Sequence, residues 1–295
     1  MTNKMPHTFT RTFRIRHYEC DAFGHLNNAN YLRYMQETAF DASASAGFDR
    51  ERYQEIGHYW LIRETDIEYL KPVRYGDIVE VRTWVIDFHR VRSRRAYEFT
   101  CAGSGDLVAK AATDWVYLES SSSRPATIPQ EIIYAFFPEG PPESFPPRVK
   151  FPKAPPPPLE KFNMTKRVAW QDIDSVQHVN NAVYLDYVEE CGMEVIAAHG
   201  WPITRMLNDN FVIQIRRHQI LYRQPAILND DLVLSTWVFN VRRSTATRHY
   251  SIQRESDGTQ LALVHSLGMW VDLRTGKPIR IPESLLTDFA GNIVI

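Results

Sequence analysis

Asp21, His25, Asn27 and Asn28 fall within eight consecutive residues, at the head of the segment DAFGHLNNANYLRYMQE (21–37). The same types recur as Asp174, His178, Asn180 and Asn181 in DIDSVQHVNNAVYLDYVEE (172–190). A carboxylate can act as general base on water or as a nucleophile. A histidine four residues away can orient the water, donate to an oxyanion or tune the acid. An asparagine amide donates to a carbonyl without changing charge. If a helix starts at the asparagines, its unpaired N–H groups and partial positive charge stabilise a carbonyl oxygen that turns negative during attack. Together these groups suit acyl transfer. Asp and Asn before a helix also suit plain capping, so residue types alone leave both readings open. A matched Asp–His pair in both segments favours chemistry, because capping tolerates Ser, Thr, Asp or Asn freely.

The two segments belong to an internal repeat. A shift of 153 residues places Asp21 on Asp174, His25 on His178 and both asparagines on their counterparts without a gap. It also matches Tyr31 with Tyr184, Tyr34 with Tyr187, Glu37 with Glu190, Trp84 with Trp237 and Tyr97 with Tyr250. Of 25 identities over residues 14–97, nine lie in 21–37, so the copies agree most where the chemistry would be.

The elements that must hold these residues can be read from periodicity. TFTRTFRIRHYEC alternates and predicts a strand; the acid–histidine loop follows, and Asn27 or Asn28 caps a helix. Tyr31, Tyr34, Met35, Thr38 and Ala42 share helical spacing, Ala39, Ala42, Ala44 and Ala46 allow close approach to a sheet, and Gly47 stops the helix, as Gly200 does in the second copy. Four strand-like runs then follow in each copy, separated by turns such as KPVRYGD and QPAILNDD. One long helix followed by a run of antiparallel strands predicts an α+β fold with the helix laid across the sheet.

Between the copies, residues 119–165 hold 12 of the 18 prolines. Proline fixes φ and lacks an N–H, so this stretch is expected to run extended as a spacer, or to dock a proline-recognising partner. The expected organisation is a first domain over 1–118, a proline-rich linker over 119–161, and a second domain with a C-terminal tail over 162–295. A net charge of −1 gives no field toward nucleic acid. No run of 18 apolar residues predicts a membrane span, and MTNKMPHTFTRTF has no apolar core of a signal peptide. Three cysteines without metal spacing fit a reducing, cytoplasmic setting.

At YECDAFGHLNNANYLRYMQE and IEYLKPVRYGDIVEV the chain resembles the hotdog-fold acyl thioesterases of the 4-hydroxybenzoyl-CoA thioesterase type; DIDSVQHVNNAVYLDYVEE is similar to the second-half motif of plant acyl-carrier-protein thioesterases. The resemblance covers roughly 9–118 and 162–275. It implies a tandem double hotdog, each repeat a long helix wrapped by an antiparallel sheet, with two clefts between the halves. It implies hydrolysis of acyl-CoA or acyl carrier protein thioesters to acid and thiol, without cofactor or metal. It makes Asp21 and Asp174 the catalytic acids, assisted by His25 and His178, with Asn27, Asn28, Asn180 and Asn181 at the substrate. Phe23 and Val176 depart from the asparagine that the plant motif places between acid and histidine, and Glu64 and Thr65 face Arg217 and His218 in the other copy. The rival expectations are a hotdog enoyl hydratase or dehydratase, for which an acid and histidine at i, i+5 would be expected, and a non-catalytic acyl-binding or assembly module. Acyl length, the choice of carrier, and further assembly into a homo-oligomer stay open.

Other residues could take part. Arg90, Arg92, Arg94 and Arg95, with Arg242, Arg243 and Arg248, could meet phosphates or an acidic carrier, or form a solvated strand face. Glu37 and Glu190 are expected deep in the helix in a structural or orienting role, and Trp84 and Trp237 in the sheet core.

Overall fold

The computed structural model describes residues 5–145 and 147–294; residues 1–4, Pro146 and Ile295, which fall in the expected first domain, linker and tail, lie outside the described residues. The chain divides into two compact units, Met1–Lys150 and Phe151–Ile295.

In the first unit, β1 (Thr8–Arg14) leads through a 3-10 turn (His17–Glu19) to α1 (Asn28–Ser45) and the short α2 (Arg50–Glu55). Then come β2 (His58–Tyr69), β3 (Ile78–His89), β4 (Arg92–Cys101), β5 (Leu107–Glu119) and α3 (Gln130–Phe136). The strands form an antiparallel sheet in the order β1-β3-β4-β5-β2. Val79, Val81, Thr83 and Val85 alternate inward along β3, as the two-residue strand period requires. On α1, Tyr31, Leu32, Tyr34, Met35, Thr38, Ala39 and Ala42 form one buried stripe at 3–4-residue spacing. That stripe lies against β1 and β3. Phe13 stacks on Tyr34, and Tyr31 meets Tyr69 and Phe99 edge-on or tilted. Each such side chain contributes about 1.5–3 kcal/mol by burial. Small Ala39 and Ala42 allow the close approach, whereas Ala44 is exposed.

The second unit repeats this plan. It contains β6 (Phe162–Arg167), a 3-10 turn (Trp170–Asp172), α4 (Val183–Ala198) and α5 (Ile203–Asn208). These are followed by β7 (Phe211–Tyr222), β8 (Asp231–Phe239), β9 (Thr245–Arg254), β10 (Gln260–Asp272) and α6 (Glu283–Asp288). Its antiparallel order is β6-β8-β9-β10-β7. The expected α+β class, one long helix per copy and the eight strands after the helices are all present. Gly47 and Gly200 end the helices at φ +85° and +80°, a conformation glycine adopts without strain.

Two expectations change. The proline-rich stretch is not extended throughout, since α3 forms within it and buries Ile132 and Phe136 in a cluster with Phe48, Phe88 and Tyr117. Nor is it a bare spacer. Arg148 donates to Asp114 at 2.5 Å and also pairs with Asp87, both of them buried carboxylates of the first sheet. Phe151 lies against His265 of the second sheet, with ring centres 4.8 Å apart. Side chains set among the prolines therefore anchor the segment, which backbone composition alone does not reveal.

Candidate functional site

The loop before α1 is built by short-range hydrogen bonds. The Asp21 N–H donates to the His25 carbonyl at 2.7 Å, and the Gly24 N–H to the Asp21 carbonyl at 3.0 Å. Asp21 Oδ1 accepts from the backbone N–H groups of Phe23 (2.9 Å) and His25 (3.0 Å). No other hydrogen bond reaches this carboxylate among the described residues, so Oδ2 keeps its lone pairs. Gly24 closes the turn at φ +76°; its counterpart Gln177 adopts φ +66°, which strains a residue bearing a Cβ. Asp174 repeats part of the arrangement, with Oδ1 accepting from the Val176 N–H at 2.9 Å. Both aspartates are half-buried.

The loop is tied at its base. The Asn27 N–H donates to the Glu19 carbonyl and the Leu26 N–H to the Val73 carbonyl, both at 2.9 Å; Asn180 to Asp172 and Val179 to Ala226 repeat these bonds at the same length. Asn27 caps α1, its Oδ1 accepting from the Ala29 N–H at 2.9 Å while its carbonyl accepts from the Asn30 N–H. Asn180 accepts likewise from Ala182 at 3.0 Å, and its amide nitrogen lies 3.5 Å from Asp174 Oδ2. The first asparagine of each pair thus shapes the helix start. The second presents its carbonyl to a tyrosine hydroxyl, Tyr69 to Asn28 at 3.3 Å and Tyr222 to Asn181 at 2.9 Å.

His25 Nε2 and His178 Nδ1 are buried and have no hydrogen-bond partner among the described residues. Burial lowers the pKa of His25, with Arg74 adding to that and Asp21 opposing it, so the neutral imidazole is favoured. Asp21 and His25 thus share one loop at the amino end of an 18-residue helix. A carboxylate with a free oxygen, a neutral imidazole and a helix terminus can together activate water and polarise a carbonyl.

Two further acids were not singled out from the sequence. Glu19, 7 % exposed, accepts from the Tyr34 hydroxyl at 2.7 Å and from the Arg16 N–H at 2.8 Å. Asp172 accepts from Tyr187 at 2.7 Å and from the Ala169 N–H at 2.8 Å. Burial, then the hydrogen bond to the acid, raises the pKa of both tyrosines. The repeat of Tyr34 and Tyr187 was the available signal; their partners differ in type, so identity counting passes over them.

Glu37 and Glu190 prove exposed rather than deep, pairing with Arg11 at 3.3 Å and Lys166 at 2.6 Å. Arg92 is committed to Asp114 at 2.8 Å and Glu64 at 3.4 Å. Arg95 is buried, 3.5 Å from the Thr83 hydroxyl and over the Phe136 ring; Arg248 repeats both contacts with Thr236 and Phe289 and also donates to Asn292. Arg95 and Arg248 are interior posts and Arg92 a partly exposed one, whereas Arg90, Arg242 and Arg243 are exposed. Trp237 is buried and Trp84 partly so.

A family model described as the thioesterase-like superfamily matches residues 15–136 and again 168–289. The chloroplastic palmitoyl-acyl carrier protein thioesterase of Cuphea hookeriana is 26% identical over 191 residues, covering 62% of this chain and 46% of that protein. The chain thus spans about half the length of the curated relatives it matches. A 12:0-ACP thioesterase structure from Umbellularia californica superposes with a TM-score of 0.72 at 19% identity, covering 92% of this chain and 94% of that one. An acyl-ACP thioesterase from Bacteroides thetaiotaomicron superposes with a TM-score of 0.67 at 19% identity, covering 88% and 97%. At these identities the likeness speaks for the fold, a tandem of two hotdogs.

Proposed function

The chain belongs to the thioesterase-like superfamily, and on that premise we propose that it hydrolyses acyl thioesters of acyl carrier protein or coenzyme A to the free acid and thiol. One observation carries the reading: the Asp21 carboxylate is fixed through Oδ1 alone, leaving Oδ2 open in the loop that also carries His25, at the amino end of α1. Asp21 takes a proton from water as its oxygen attacks the thioester carbonyl carbon. The carbonyl oxygen becomes negative near the α1 terminus, where Asn27 occupies the Ala29 and Asn30 N–H groups and the Asn28 N–H is left to donate. Collapse of the intermediate breaks the C–S bond, and the thiolate takes up the proton. His25 orients water or carbonyl as the neutral imidazole. In the second copy Asp174 is the base, the Asn181 N–H donates to the oxyanion, and His178 orients water or carbonyl.

The names of the relatives favour acyl carrier protein as the carrier and fatty acid metabolism as the setting. Three free cysteines fit a reducing cytoplasm. No helix among the described residues is long and apolar enough to cross a membrane.

The test is thiol release from acyl-ACP and acyl-CoA panels by wild type, Asp21→Asn, Asp174→Asn and the double variant. The double variant is expected to lose at least about 100-fold in kcat/KM, the scale of general-base catalysis. Wild-type rates in all three variants would end the assignment. Binding of acyl thioesters without turnover would favour the acyl-binding module.

A further inference from the structure

Around the first loop lies a surface that the proposed chemistry does not use. Tyr18, Tyr75 and Phe23 are 76%, 56% and 43% exposed. Arg14, Arg16 and Arg74 are exposed among them. The Arg14 guanidinium sits 5.5 Å from the centre of the Tyr75 ring, and Arg16 lies over Tyr18 and donates to its hydroxyl at 2.8 Å. His17 meets Tyr75 edge-on at 5.8 Å. Backbone pairing makes the patch continuous with the candidate site. His25 bridges to Arg74, Leu26 bonds Val73, and the Gly76 N–H donates to the Ile15 carbonyl. Arg14 and Arg74 have no carboxylate within ion-pair distance among the described residues, and Arg16 reaches Glu19 only at 3.7 Å. Asp77, the nearby half-buried acid, accepts the Arg74 N–H.

The second copy has lost this character position by position. Ala169 replaces Arg16, Gln171 replaces Tyr18 and Val176 replaces Phe23, while Ile227 and Leu228 stand for Arg74 and Tyr75. Trp170, Val176, Ile227 and Leu228 are exposed there. The single retained arginine, Arg167, is paired with Asp231 at 3.3 Å.

Resting on the hydrolase reading, we infer that the Arg14–Arg16–Arg74 rim of the first copy binds the phosphate of the carrier's pantetheine arm, and that the second copy's rim does not. A guanidinium fork fits phosphate oxygens, and exposed tyrosine faces accept a flat or apolar arm beside them. Arg14 over the Tyr75 ring and Arg74 beside it, neither ion-paired among the described residues, are held ready for an anion, with Arg16 over Tyr18 close by, and three exposed aromatics in one patch mark an interaction surface. The phosphate could belong to coenzyme A or to the phosphopantetheine of a carrier protein; the chemistry recognised is the same.

The experiment titrates the full chain with coenzyme A, 4′-phosphopantetheine, holo carrier protein and phosphate-free pantetheine. Hydrolysis of the matching acyl thioesters is followed in parallel. The variants are Arg14→Gln, Arg16→Ala, Arg74→Ala and the triple, with exposed Arg124→Ala as control. Each single change is expected to weaken phosphate-bearing ligands roughly twofold to fivefold, the scale of an exposed ion pair, and Arg14→Gln and Arg16→Ala to raise KM while sparing kcat; Arg74→Ala also removes a charge that favours neutral His25 and is read by binding alone. Pantetheine binding should be unaffected in every variant and hydrolysis of its acyl thioester in Arg14→Gln and Arg16→Ala, and the control should match wild type. A preference for coenzyme A over phosphopantetheine adds adenine contacts, and a preference for the holo carrier protein adds protein contacts. Equal binding of pantetheine and phosphopantetheine by wild type would overturn the inference, as would a triple variant that binds all ligands normally. If no thioester is hydrolysed but phosphate-dependent binding falls with the arginines, the hydrolase reading fails and the rim stands; hydrolysis unchanged in the triple variant reverses that result.

Discussion

The Tyr34 hydroxyl donates to the Glu19 carboxylate at 2.7 Å, joining the buried face of α1 to the turn that precedes the Asp21 loop. The same turn's backbone carbonyl accepts from Asn27 and from the Asn30 side chain, so one residue holds loop, cap and helix together. Removing the phenol leaves a buried carboxylate short of a donor. Tyr34→Phe is expected to cost about 1.5–3 kcal/mol, the range for hydrogen bonds to charged groups. Tyr187→Phe should cost less, because Asp172 is half-buried and keeps access to water. Urea unfolding of both variants checks the order; equal losses would show that burial of the acid is not what matters.

Gly24 isolates a backbone effect. An added Cβ would meet nothing within 4 Å, so the penalty of Gly24→Ala comes from φ +76° alone. About 1 kcal/mol is expected. The converse, Gln177→Gly, relieves strain but loosens the unfolded chain, and should change stability by less than about 1 kcal/mol in either direction. Thermal melts distinguish these outcomes. A large loss in Gly24→Ala would mean that the loop cannot close with any other residue.

Arg148 offers a sharper test. Asp87 is 1 % exposed and takes this guanidinium as its arginine partner, while Asp114, buried beside it, shares it with Arg92 at 2.8 Å. Arg148→Met strands Asp87 and leaves Asp114 to Arg92 alone, and should cost about 3–5 kcal/mol, chiefly through Asp87. The second copy carries Asn240 and Leu267 where the first has Asp87 and Asp114. The triple change Asp87→Asn, Asp114→Leu, Arg148→Met should therefore restore most of the loss. A triple variant as unstable as the single one would show that Arg148 acts by packing rather than by charge.

Acid sensitivity is expected to concentrate in the second unit. His249 and His265 face each other across β9 and β10 with ring centres 4.9 Å apart, and His218 bonds Ser266 at 2.8 Å. Burial lowers their pKa values to about 3, about 4 and about 3 for His249, His265 and His218 respectively, with His265 also depressing His249. A depressed folded value means that the unfolded chain binds protons first as pH falls. The penalty is absent above the ordinary histidine value near 6.5 and grows down to about pH 4. It amounts to at most about 1.4 kcal/mol per pH unit for each residue. Ala96 and Ala112 stand at the matching positions of the first copy. His249→Ala with His265→Ala should flatten the fall in urea midpoint between pH 7 and pH 5; parallel slopes would refute the assignment.

Much of this architecture is legible in the sequence. The repeat of Asp21, His25 and the asparagines located both loops, and the change from helical to strand spacing after Gly47 and Gly200 located the layers. What escaped notice were pairings between unlike residues. Glu19 and Asp172 differ in type, so a comparison by identity missed the acids while retaining their tyrosines. Arg95 reads as one more surface cation in HRVRSRRAYEF, yet it faces inward with Tyr97 and Phe99, one strand period apart. Glu37 and Glu190 repeat, yet each sits on the solvent side of its helix and meets a cation of the first strand. Repetition marks constraint without saying whether the constraint is chemistry or surface.

The anchored proline segment bears on how the gene can be dissected. A fragment ending at residue 118 would part β5 from Arg148, leaving Asp87 without its arginine, Asp114 with Arg92 alone, and Phe48 and Phe88 without the aromatic cover of Phe136. The workable cut lies between Lys150 and Phe151, so expression of separate halves must treat the apparent tether as the last piece of the first domain and the opening residue of the second.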